Sequence, residues 1–128
     1  MRRTAQAIVL FLGVLLALTI APWAQAQQLP PGAKEEVLGE SPSSIPGIEK
    51  IVMKRFTLDP GAKLVNFTLE HTDFCVGYQG EATVTVGDKK IVRKAGHAWV
   101  APKGVTFTME NAGTVPFVDI FFELIEKK

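Results

Sequence analysis

The chain has 128 residues, with 14 Lys and Arg against 13 Asp and Glu, and a formal charge of +1 supplies no basic patch or stripe for nucleic acid. One cysteine, Cys75, excludes an internal disulfide even in an oxidising compartment, so the fold must stand on packing, with the thiol read as a small buried apolar group.

The N-terminus reads as a segment to be removed. Arg2 and Arg3 form a positive start, residues 7–21 are almost wholly apolar, and Ala24-Gln25-Ala26 fits the small-x-small pattern of a signal-peptidase site. The apolar run falls short of the ~20 residues a spanning helix needs, so a cleaved signal peptide over 1–26 is expected and no stable membrane insertion afterwards. Export to the periplasm or the exterior follows. Cleavage there leaves 102 residues, one domain, with twelve basic and thirteen acidic side chains and a net charge of −1.

Residues 27–48, QQLPPGAKEEVLGESPSSIPGI, are rich in Pro, Gly, Ser and Glu without apolar periodicity and read as an N-terminal arm. Val37-Leu38 could tack this arm onto a neighbouring strand or subunit. From residue 49 to 128 the chain becomes a series of short strands separated by turn signals. Glu49 to Leu58 ends at Asp59-Pro60-Gly61. Lys63 to Glu70 alternates, with Val65, Phe67 and Leu69 on one face and Asn66 and Thr68 on the other. Asp73 to Gln79 follows, then Gly80, then Glu81 to Val86 and, beyond Gly87-Asp88, Lys89 to Arg93.

His97 to Ala101, the turn Pro102-Lys103-Gly104 and Val105 to Glu110 read as a hairpin with Val105, Phe107 and Met109 on one face. The last strand, Val115 to Leu124, is apolar on both faces: Val118, Ile120, Phe122 and Leu124 on one, Phe117 and Phe121 on the other. Such a strand predicts either a homodimer across its outer face or a cover supplied by the arm. With about eight strands and no helical period, the expected class is all-β, an antiparallel sandwich or barrel.

The spacing Gly96, five residues, Pro102, one, Gly104, two, Phe107, three, Asn111 resembles the second motif of the cupin family. Upstream, Gly61 and Gly80 resemble the glycines that open and close the first motif. The resemblance spans Lys54 to Leu124 and implies a single-domain double-stranded β-helix, the jelly-roll barrel, with a ligand cavity at one mouth. It also implies where a metal centre would lie. The two first-motif histidine positions hold Phe67 and Leu69, the glutamate position holds Asp73, and the second-motif histidine position holds Phe107.

Phenyl and isobutyl groups offer no lone pair to a metal ion, so the metal site reads as degenerate and no cofactor is assigned. The expected cavity is apolar, lined by Phe67, Leu69, Asp73, Cys75 and Phe107, and binds a small apolar molecule or a protein partner. No catalytic residue is assigned. An anionic Asp73 in such a place would need a hydrogen bond, the solvent mouth or a raised pKa.

A second hypothesis is a metal-dependent enzyme, of the dioxygenase or isomerase kind the family contains, using a rearranged site. His71, Asp73 and Cys75 alternate, so a straight strand would put them on one face, with His97 as a further donor. At ~3.3 Å per residue the outer pair stands roughly 13 Å apart, too far for a Cys–His nucleophile pair unless the chain bends. His97 itself reads as a turn residue outside the cavity. Trp99 and Tyr78 read as core side chains that could line a pocket. Asn66-Phe67-Thr68 matches a glycosylation acceptor by chance, in mid-strand. A third hypothesis is a structural protein whose barrel is packed solid by its own side chains.

Overall fold

The computed structural model describes residues 27–128, so the expected signal peptide lies outside the described residues. The described chain is all-β: β1 (Ala33–Pro42), β2 (Ile48–Leu58), β3 (Lys63–Thr68), β4 (Thr72–Gln79), β5 (Glu81–Val86), β6 (Lys89–Lys94), β7 (Ala98–Ala101), β8 (Thr106–Glu110) and β9 (Phe117–Glu126). They form two antiparallel sheets, five-stranded β1-β2-β9-β4-β7 and four-stranded β3-β8-β5-β6, stacked as a jelly-roll barrel. Leu58, Leu64, Cys75, Val84, Met109, Phe117 and Phe121 meet between the sheets as one core cluster.

Turn chemistry sets where strands end. After β2, Gly61 takes φ 79° and the Ala62 amide donates to the Asp59 carbonyl at 3.0 Å. Between β5 and β6 the two-residue turn Gly87-Asp88, with Gly87 at φ 60°, sets Val86 opposite Lys89. Asn111, 1 % exposed, ties the loop between β8 and β9 to the end of β2. Its Nδ2 donates to the carbonyls of Leu58 at 2.9 Å and Val115 at 2.8 Å, and its Oδ1 accepts from the Gly113 amide at 3.0 Å.

Four sequence expectations change. The arm over 27–48 contains ten-residue β1, hydrogen-bonded along β2; a bulge between Val37 and Gly39 breaks the period-two pattern that would have announced it. β7 and β8 are not a hairpin: β7 pairs with β4 and β8 with β3 and β5, so Pro102-Lys103-Gly104 carries the chain from one sheet to the other. In β3 the register slips between Leu64 and Phe67, with Asn66 at φ 48°, a conformation Asn tolerates. Leu64 is therefore buried and Val65 turns outward, while Phe67 keeps its inward aim. Finally, because β1 joins β2 edge to edge, the described arm does not cover the outer face of β9.

Candidate ligand cavity

The barrel is not packed solid. A cavity of about 330 Å³ lies between the sheets, within the range of small-molecule sites, which removes the observation on which the filled-core hypothesis depended. β3 and β8 supply Phe67 and Phe107, directly opposite in the strand register, with ring centroids 5.9 Å apart and planes tilted by 57°. Leu69, just past β3, is held by its amide donating to the Val105 carbonyl at 3.0 Å and its carbonyl accepting from Gly104 at 2.8 Å. Asp73 and Cys75 come from β4. All five of these side chains line the cavity, joined by Trp99, Met109 and Phe121. Leu29, which precedes β1, also reaches the wall, and Gln27 pins this stretch to the Thr68 backbone at 2.7 and 2.9 Å.

The metal-enzyme set does not assemble. The chain bends at Glu70 and His71 before β4 begins at Thr72, so His71 leaves the face that Asp73 and Cys75 share and does not line the cavity. His97 is exposed in the turn before β7. Among the described residues no three His, Cys, Asp or Glu side chains gather as a metal site would require. At the positions where the cupin pattern places ligands, Phe67, Leu69 and Phe107 present carbon only, so the residues present do not fit that metal. The thiol of Cys75 does not suit nucleophilic chemistry either: burial, and then the charges of Asp119 and Asp73, push its pKa up. Tyr78, 70 % exposed on the outer surface, does not line this cavity.

The five-stranded sheet adds a polar wall that the sequence reading missed. Lys54 on β2 pairs with Glu35 of β1 at 3.0 Å and Glu123 of β9 at 3.1 Å. Burial works against its charge, but hydrogen bonds to these two carboxylates outweigh it and raise its pKa. Asp73 stands opposite Glu123 in the β4–β9 register, and Asp119 stands opposite Phe56 on one side and Gly77 on the other. Both aspartates are buried, and Oδ1 of each has no hydrogen-bond partner. Burial raises both to about 7, helped at Asp73 by Glu123 and at Asp119 by Asp73. The signal for Asp119 was present in the sequence: Phe117, Asp119 and Phe121 alternate, so Asp119 shares the inward face. On the outer face, Met53, Phe122, Phe74 and Val100 stand side by side in one continuous row across β2, β9, β4 and β7.

Comparison with known proteins agrees with this geometry. A family model described as a cupin domain matches residues 54–121. No curated protein matches the sequence. Among solved structures, a cupin superfamily protein from Desulfitobacterium hafniense aligns at 17 % identity over 79 % of this chain and 84 % of its own, with a TM-score of 0.58. The cupin domain of Schizosaccharomyces pombe Cnp3 aligns at 16 % identity over 79 % and 70 %, with a TM-score of 0.60. The polyketide cyclase RemF from Streptomyces resistomycificus aligns at 13 % identity over 75 % and 67 %, also at 0.60. Similarity at these identities establishes fold and leaves the reaction open.

Proposed function

The chain belongs to the cupin family, and from that premise we propose that it is an exported barrel that binds a small, largely apolar ligand in place of the family's metal. One observation carries this reading: three positions that would hold imidazoles hold Phe67, Leu69 and Phe107, and all three side chains line a cavity of about 330 Å³. Dry apolar walls gain most from a ligand that also removes apolar surface from water, at about 25 cal/mol per Å². Export rests on the N-terminal pattern of residues 1–26. The test is native mass spectrometry of protein purified from its own host without chelators, with elemental analysis of the same sample. A co-purified organic molecule released on denaturation, with no stoichiometric transition metal, is expected. About one tightly held transition metal per chain and no organic ligand would overturn the proposal.

A partner role has its own observation. Phe74, Val76, Val100 and Phe122 are 46, 44, 50 and 36 % exposed on the outer face of the five-stranded sheet, contiguous across β9, β4 and β7. A patch of this kind suits a homodimer formed face to face. Sedimentation of wild type against Phe74→Lys distinguishes a dimer from a monomer.

A further inference from the structure

The charges that face the cavity do not balance. Glu35 on β1, Asp73 on β4 and Asp119 on β9 line the cavity with Lys89 and Arg93 of β6, and Glu123 on β9 and Lys54 on β2 stand behind that wall: four carboxylates against three cations, of which Lys89 is exposed. Lys54 is engaged by Glu35 and Glu123, and the Arg93 guanidinium lies over the Trp99 ring at 4.9 Å. Neither Asp73 nor Asp119 takes part in an ion pair among the described residues. Both are more than nine-tenths buried, at 6 and 4 % exposure, and Oδ1 of each is without a hydrogen-bond donor.

We infer that the ligand of this cavity is an organic cation: a protonated amine on an aromatic or aliphatic body, its nitrogen held by Asp119 and its body against Phe67, Phe107 and Phe121. The inference rests on the ligand-binding reading above and names the chemical class of that ligand. A buried carboxylate left unpaired is costly, and an ammonium group supplies both the charge and the N–H donors that cancel the cost. Asp119 is the anchor because it is the more deeply buried of the two, 4 % against 6 % exposed, and its strand neighbours Phe56 and Gly77 carry no charge, whereas Asp73 stands opposite Glu123, which Lys54 already engages. Because burial holds both aspartates at about 7, the site is fully anionic only above neutrality, whereas a simple amine stays protonated throughout.

The test is calorimetric titration of the purified protein with benzylamine, 2-phenylethylamine, tryptamine and cyclohexylmethylamine, each beside the alcohol of the same skeleton, at pH 8 and pH 5.5. At least one amine is expected to bind about tenfold tighter than its alcohol at pH 8. That advantage should fall below about threefold at pH 5.5 and in Asp119→Asn. Binding near pH 7 should release protons, read from enthalpies in buffers of different ionisation heat, so the inference stays testable even if Asp119→Asn does not fold. Equal affinity for amines and alcohols at pH 8 would overturn the cation and leave the apolar cavity reading standing. No binding of any amine or alcohol below about 1 mM would overturn both.

Discussion

Phe67 and Phe107 stand opposite each other across the β3–β8 pair, their ring centroids 5.9 Å apart, at two of the positions where the cupin pattern places metal-binding imidazoles. Carbon thus occupies the place of the donors, and the carboxylates of the cavity come from the other sheet.

If those positions converge as the strand register dictates, donors can be put back. The triple variant Phe67→His, Leu69→His, Phe107→His sets three imidazoles beside Asp73 and should retain about one Ni²⁺ or Zn²⁺ per chain through desalting. Elemental analysis beside circular dichroism checks it. A folded triple variant that holds no more metal than wild type would show that the three side chains do not meet.

Stability should fall as pH rises. The folded values of Asp73 and Asp119, about 7, lie above their ordinary 3.8, so between roughly pH 4 and pH 7 the native state holds more protons than the unfolded chain. The stability present below pH 4 is lost as pH climbs through 7. Urea unfolding across this range should show Asp119→Asn gaining about 1–2 kcal/mol over wild type at pH 8 and no gain at pH 4. A flat difference between the two proteins would contradict the burial argument.

Asn111 closes the loops below the barrel through three side-chain hydrogen bonds. Asn111→Ala takes the side-chain donor from the buried Leu58 carbonyl and the partners of the part-buried Val115 carbonyl and Gly113 amide, and should cost about 2–4 kcal/mol. A melting curve within a degree or two of wild type would refute that role.

At Gly80, φ is 68° and an added Cβ would stand 2.5 Å from the Pro116 carbonyl oxygen. Backbone cannot rotate away as a side-chain end can, so Gly80→Ala should lose about 2–4 kcal/mol. Gly87, also left-handed but with nothing within 4 Å, should lose about 1 kcal/mol on the same change, and chemical denaturation of the pair separates conformational strain from collision.

Much of this protein was legible in one dimension. Alternation and turn residues announced eight of the nine strands to within a few residues, because a strand half-buried in a sheet must repeat with period two and a reversal needs residues such as Gly61, Gly87 and Pro102. Resemblance to the cupin motifs pointed to Phe67, Leu69, Asp73 and Phe107, all four of which line the cavity. Three-dimensional structure decided the rest. β1 was hidden by its bulge and exposed residues, Val65 was turned out by a bulge that depends on what β8 offers opposite it, and β7 and β8 separated into different sheets because strand pairing is a long-range choice that a local turn does not dictate. Alternation with Phe117 and Phe121 could have placed Asp119 inward, but the ion pairs of Lys54 with Glu35 and Glu123 were out of reach for the same reason: the three residues lie on β2, β1 and β9 and become neighbours through the β1-β2-β9 register alone.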